Sequence, residues 1–419
     1  MSFRHVKATV HGAGEHNRRM VFQLVRRLGV ASRQQIAEMT SLHRSSLSKI
    51  MTEFISCGLV REVAQLMPEV RRVGKRRILL QIRPEAGWAL GIGVSLGWAR
   101  MAIVNVAGGE EFEHRIPISS DLDRLADTLK AGLDAMLAGR EPPRGRLLAV
   151  GVAVPGIVDS DTGVLLYSDY FRMRNFPLAE AIEQALGVPA CADNDARVEA
   201  LAHLNQPNDS SGADFVFLYL NHRERDGGVH FTAYGSAIVI HGQIYRGAHY
   251  GAGEIWGRLH PLASPPLLKE DLEVIEREEG PLNPRLEALA EAFAPIAATL
   301  AGYIDPVSLV LGGSVGWRNV AFRRLLEGRV NELIQPWYPE RRVRVEAARV
   351  PAAGTAYGAA LLAFDRLPMA RLLESAPPGE GLSTRGQRNW WRRARRHLRP
   401  VRVEDIGGAV EPAAAFSPQ

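Results

Sequence analysis

Residues 33–60 read RQQIAEMTSLHRSSLSKIMTEFISCGLV. Ser32 precedes the run and Gln35 follows three residues later, a capping-box pattern that opens a helix. A break at Thr40-Ser41-Leu42 leads into a second helical stretch. There Leu47, Ile50, Met51, Phe54 and Ile55 fall on one apolar stripe, and Gly58 ends it. The opposite face carries Arg44, Ser45, Ser46, Ser48 and Lys49. Two short helices joined by a tight turn, the second presenting small hydroxyls and basic groups near its N-terminus, predict a helix-turn-helix suited to a DNA major groove. One local departure is His43 at the start of the second helix, where Ser, Thr, Asp or Asn caps better.

Upstream, residues 17–28 (NRRMVFQLVRRL) place Met20, Val21, Leu24, Val25 and Leu28 at helical spacing, with arginines on the other face. Downstream, 59–63 and 77–82 are strand-like and flank the basic run Arg71-Arg72-Val73-Gly74-Lys75-Arg76-Arg77. This arrangement predicts a wing, with Arg71, Arg72, Lys75, Arg76 and Arg77 able to touch phosphates or enter a minor groove. The blander reading of the same residues is a protein-interaction module with a solvated basic hairpin. Charge favours the first reading. Residues 1–87 hold sixteen Lys/Arg against six Asp/Glu, and 376–419 hold eight arginines against four acids, while the whole chain is only +5. A basic head therefore sits on an acidic body, which points to a polyanion partner for the head.

The chain of 419 residues, 46% hydrophobic and 23% charged, has room for two or three domains of an ordinary globular kind. Two cysteines, Cys57 and Cys191, make neither a disulfide framework nor a multi-cysteine zinc site. The N-terminal MSFRHVKATVHGAG lacks an apolar core of the secretory type, and apolar stretches such as 148–158 (LAVGVAVPGIV) fall well short of the ~20 residues of a membrane span. A cytoplasmic protein with no membrane partner is expected.

From residue 88 strands and helices alternate. Strands are expected at 89–94 and 101–106, turning at 95–98, then at 147–154, 189–192, 215–220, 237–240 and 308–311. Helices are expected at 122–137, 178–186, 196–204, 286–302 and 353–365. The fold class is α/β: a helical DNA-binding head followed by a two-lobed body with ligand chemistry at strand ends. The expected domains are 1–87 (head), 88–375 (effector-binding and dimerising body) and 376–419 (basic, flexible tail).

This order resembles the ROK proteins (repressors, open reading frames and sugar kinases), in the branch with an N-terminal winged helix. The resemblance covers about 17–365. Besides 33–60 it rests on GVAVPGIVDSDTG (151–163), NFPLAEAIEQALGVPACADNDARVEAL (175–201) and IVIHGQIYRGAHYGAGEI (238–255). It implies an actin-like ATPase fold with a sugar in the cleft between lobes, phosphorylated with ATP and magnesium in the kinases. In the regulators it implies operator binding by dimers or tetramers that respond to a sugar or a partner protein.

Carried over residue by residue, the resemblance assigns Asn194 to sugar binding and Asp195 to the base that would take the attacked hydroxyl's proton. An Asn-Asp helix cap is the blander reading of the pair. Glu254 and Glu273 correspond to glutamates that grip sugar hydroxyls. Other parts depart from the pattern. The first phosphate loop, roughly G-I-D-x-G-G-T in the family, is here 91–97 (GIGVSLG), with Gly93 in place of the carboxylate that positions magnesium. The second, G-T-G-I-G, is here 231–235 (FTAYG), where Phe231 and Tyr234 block close backbone approach to phosphates. Gly312-Gly313 matches the adenosine-side motif. Gly257 replaces the zinc-module histidine, no cysteine lies nearby, and His260 could at most contact a sugar. No catalytic residue, metal or cofactor is therefore expected, and Asp195 is a vestigial base. The polar segment 221–229 (NHRERDGGV) is expected to be a disordered surface loop. The tail, with Trp390-Trp391-Arg392-Arg393, reads equally as a phosphate contact or a solubilising segment.

The expected function is a transcriptional regulator, a repressor of carbohydrate-related genes. It would bind an inverted-repeat operator in double-stranded DNA as a homodimer or tetramer and sense a sugar-type effector. The rivals are a sugar kinase with an added DNA-binding head, and a regulator whose vestigial pocket has yielded to a partner-protein signal.

Overall fold

The computed structural model describes residues 10–64, 78–95, 97–118, 124–141, 143–206, 214–225, 228–254, 267–350 and 354–374. The basic segment 71–77, the zinc-module positions Gly257 and His260, and the tail from 376 lie outside them.

The head contains helices α1 (Val10–Leu28), α2 (Arg33–Thr40) and α3 (Arg44–Ser56), with strands β1 (Val30–Ser32), β2 (Val60–Ala64) and β3 (Ile78–Ile82) in the order β1-β3-β2. The first helix begins seven residues before the apolar periodicity does, and β1, too short to carry alternation, was not foreseen. Ser32 forms the expected capping box: it accepts from the Gln35 amide at 3.3 Å and gives its own N–H to Gln35 Oε1 at 3.0 Å. Ser41 in the left-handed region ends α2. His43 caps α3 itself: its Nδ1 accepts from the Ser45 amide at 3.4 Å and lies 2.8 Å from the Ser45 hydroxyl. Val21, Phe22, Val25, Ile36, Leu47, Ile50, Met51, Phe54, Leu59 and Leu80 close the head's core. That core continues without a break into the body.

The first lobe is built on β4 (Trp88–Ser95), β5 (Trp98–Asn105), β6 (Glu110–Pro117), α4 (Leu125–Leu137), β7 (Leu147–Val154), β8 (Ile157–Asp159), β9 (Val164–Ser168), β10 (Met173–Phe176), α5 (Leu178–Leu186), β11 (Ala190–Asn194) and α6 (Asp195–Leu204). The second uses β12 (Phe215–Arg225), β13 (Gly228–Ile240), β14 (Gln243–Tyr245), α7 (Lys269–Glu276), α8 (Pro284–Ile304), β15 (Ser308–Gly313), α9 (Val320–Ile334), β16 (Arg344–Ala347), α10 (Thr355–Arg366) and α11 (Met369–Leu373). The two large sheets run β6-β5-β4-β7-β11 and β14-β13-β12-β15-β16. Counted within each lobe, both have the order 3-2-1-4-5, with the first, fourth and fifth strands parallel. The body is a duplicated unit.

Each fifth strand feeds a helix that crosses to the other lobe. From β11, α6 lays Ala196, Ala200 and Leu204 on Phe215, Phe217, Tyr219 and Val239 of the second sheet. From β16, α10 lies on the first sheet. Its approach depends on missing side chains: a Cβ at Gly151 would stand 1.8 Å from the Ala359 carbonyl oxygen, and one at Gly91 equally close to that of Ala356. The outer faces are covered by α4 and α5 in the first lobe and by α7, α8 and α9 in the second.

The segment 221–229 is corrected from loop to hairpin. β12 and β13 continue pairing through Arg223↔His230 and Arg225↔Gly228, with an irregularity at Asn221/His222. Asp226-Gly227 between them is the strongest two-residue hairpin signal a sequence offers, and it outweighs the polarity of the flanks.

Candidate functional site

The cleft site starts from a strand end. β11 runs parallel to β7 and stops at Asn194, opposite Val154. The Asn194 side chain caps α6, accepting from the Arg197 amide at 3.2 Å, while its Nδ2 donates to the Gly156 carbonyl at 3.0 Å. It is thus the cap of the blander reading, with its amide held at the end of the strand. Asp195 opens α6, buried, with Oδ1 accepting from the Ala196 amide at 2.9 Å.

A second element brings up Glu254. After β14 the chain folds back over 246–254, and three ties hold it there. Arg246 places Nε and Nη2 on Asp193 Oδ2 at 3.1 and 2.9 Å. Arg197 donates to the Tyr250 carbonyl at 2.8 Å. Ser236 donates from both its amide (2.9 Å) and its hydroxyl (2.7 Å) to the Gly253 carbonyl. Asp193, almost wholly buried on β11, is matched by Arg246 of this segment and by Arg197 of α6 at 3.3 Å, so its charge is compensated.

Asp195 is not so compensated. Burial pushes its carboxyl up to about 7, and the neighbouring Glu254 charge adds to the push, against the Ala196 amide and Arg197. Burial also raises Glu254. A carboxyl poised near neutrality can donate one hydrogen bond and accept another, which suits a polyhydroxylated ligand.

One helical turn on from Asp195, Glu199 completes a group of acids the sequence reading missed. It accepts from the Gly313 amide at 2.7 Å. Burial raises it to about 8, opposed by that amide and reinforced by Asp195. Tyr219, on β12, is raised by burial and by the charges of both acids, and its hydroxyl accepts from Asn221 Nδ2 at 3.0 Å. The spacing of 195 and 199 on one helical face was the only available signal.

Glu273 is corrected. It lies on the outer face of α7, where Asp271 and Ile275 on either side turn inward, and it pairs with Arg277 at 3.6 Å. Helical periodicity carries it away from Asp195.

The positions of the phosphate loops are also occupied. A Cβ at Gly93 would fall 2.3 Å from Thr355 Oγ1, so the start of α10 fills the space beside Gly93. Residues 231–235 lie within β13, paired to β12, and so do not form an open backbone loop. In the head, Arg44, Ser45, Ser46, Ser48 and Lys49 all lie exposed along the outer face of α3, above a buried Leu47 and Ile50. Among the described residues, no helix is long and apolar enough to cross a membrane.

Two sheets of the same 3-2-1-4-5 order, joined by crossed helices, define a two-lobed α/β protein with a cluster of buried carboxyls at the end of one central strand. Residues 91–261 match the sequence model of the ROK family. Among curated relatives it is 24% identical over 242 residues to the xylose repressor of Caldicellulosiruptor bescii, covering 57% of each chain. It is 27% identical over 243 residues to the DNA-binding transcriptional dual regulator NagC of Escherichia coli K12, covering 57% of this chain and 56% of that one. The matches thus span little more than half the length of these relatives. Among solved structures, a ROK family transcriptional regulator described as a homolog of E. coli Mlc superposes with a TM-score of 0.63 at 18% identity, over 86% of this chain and 99% of that one. That likeness extends over the fold as a whole.

Proposed function

We propose that this chain is a sugar-responsive, DNA-binding transcriptional regulator, a repressor in the simplest reading. The observation that carries it is the outer face of α3: five exposed polar and basic residues on the second of two helices separated by a short turn. In this reading the head is a winged helix-turn-helix. Arg44, Ser45, Ser46, Ser48 and Lys49 enter a major groove, and Arg71, Arg72, Lys75, Arg76 and Arg77 reach phosphates from the wing. The relatives named as repressors support it. A homodimer or tetramer would set two such helices against an inverted repeat.

Asn194, Asp195 and Glu254 form the effector site. Their raised carboxyls favour a neutral, hydroxyl-rich ligand over an anion. The start of α10 against Gly93 and the pairing of 231–235 support a body that senses and does not phosphorylate, with neither nucleotide nor metal required.

Selection of fragmented genomic DNA by the purified chain at physiological salt tests this directly, because low salt lets phosphate attraction mask specificity. An enriched inverted repeat is the expected result. Absence of enrichment, together with ATP turnover lost in Asp195→Asn, would replace the regulator with a sugar kinase.

A further inference from the structure

The crossed helices share more than a crossing point. α6 starts at the cleft with Asn194 and Asp195 and ends at Asn205; all ten of its residues are buried. α10 also starts at the cleft, where a Cβ on Gly354 would lie 3.5 Å from Glu199 Oε2, and ends at Asp365 and Arg366. Where they cross, a Cβ on Gly358 would stand 2.1 Å from the Val198 carbonyl oxygen, so the backbones touch and neither helix can slide without the other.

Both far ends meet one side chain of the head. Arg26 of α1 donates from Nη2 to Asn205 Oδ1 at 3.2 Å and pairs with Asp365 Oδ1 at 2.8 Å. Its guanidinium lies over Phe22 and Phe364, with only 2% of the side chain exposed. A cation is favoured there because each helix C-terminus carries about half a negative charge. The fit is nonetheless incomplete: among the described residues, Nε and Nη1 of Arg26 are buried without a hydrogen-bond partner. Arg19 and Glu15 flank it. Arg19 bonds the Asp365 and Leu367 carbonyls, and Glu15 accepts from the Met369 amide at 2.9 Å.

We infer that Arg26 is the coupling residue between cleft and head: two helices that start at the effector site converge on its guanidinium, so a shift of α6 or α10 at the cleft alters how α1 is held. The inference rests on the reading of the cleft as the effector site. Arg26 touches no ligand; it positions the head. The device is a discrete contact, made or broken, as a two-state element requires. Coupling is reciprocal, so loosening Arg26 alters the cleft as surely as the converse.

Amide hydrogen exchange on the full-length chain tests this without an effector or an operator. Asp195→Asn and Glu254→Gln perturb the cleft end, and the readout is exchange in residues 21–28 of α1, with 147–154 of β7 reporting global stability. A change in α1 at least fivefold beyond any change in β7 is expected in at least one variant. In an Arg26→Met background, which removes the contacts to both Asn205 and Asp365, the same variants are expected to leave α1 unchanged relative to that background. Changes in α1 within twofold of those in β7 for both single variants, or a transmitted change that persists in the Arg26→Met background, would overturn the coupling. A chain with intact coupling that no sugar shifts on DNA would instead fail the sensing reading, so the two failures are told apart.

Discussion

Asp195 opens a wholly buried helix with Glu254 beside it and Glu199 one turn along, and its titration carries a stability signature. A carboxyl raised in the fold keeps its proton there while the unfolded chain releases it near pH 4, so the stabilisation is complete at low pH and is lost as pH rises through about 7 for Asp195 and about 8 for Glu199. His203 acts oppositely. Burial lowers it to about 4, and its Nδ1 accepts from the Arg349 amide at 3.0 Å, but its contribution ends at its ordinary value of 6.5. Between pH 6.5 and 8.5, therefore, stability is expected to fall. Asp195→Asn is expected to flatten that fall and to raise stability at pH 8 by on the order of 1–4 kcal/mol, measured by urea unfolding across the range. A wild-type profile flat over this window would count against the buried-acid description. In the head, Lys49→Ala is expected to weaken binding to all duplexes alike and to reduce the slope of log affinity against log salt by about 0.9, the signature of one lost phosphate contact. A sequence-selective loss would make Lys49 a base reader instead.

At the scale of elements, α10 depends on absent atoms. Gly151→Ala is expected to destabilise the chain by about 3 kcal/mol or more, because the new methyl meets backbone and cannot be relieved by a rotamer change. Gly302→Ala is the contrast. It lies in α8 with nothing within 4 Å of the added Cβ, and a gain of up to about 1 kcal/mol is expected from helix propensity alone. Thermal unfolding of the two variants side by side checks both. Most elements were legible because their residues face one environment: the all-apolar β7 and the amphipathic α5 match their expected bounds. The pairing of β12 with β13 was not, because polar residues on paired strands look like a loop unless the Asp226-Gly227 dipeptide in the sequence is given weight. β1 was not, because three residues show no period.

For the whole molecule, the head shares one core with α10 and the adjoining face of the first sheet, the second lobe keeps its own, and Arg26 sits where head and body meet. The reading as a regulator predicts no turnover of ATP above background with any sugar, measured by coupled assay at millimolar nucleotide. Turnover abolished by Asp195→Asn would reverse it. The sequence by itself determined the alternation of elements, the two short helices α2 and α3 with the turn between them, and the place of Asn194-Asp195 at a strand end, since these depend on local period, caps and turns. Only the tertiary structure decided that α10 fills the space beside Gly93, that Glu199 and Tyr219 join Asp195 while Glu273 faces away, and that two helices from the cleft end on one buried arginine. Those facts come from elements far apart in the chain meeting across a core, and no window of sequence records which distant backbone a glycine lets in.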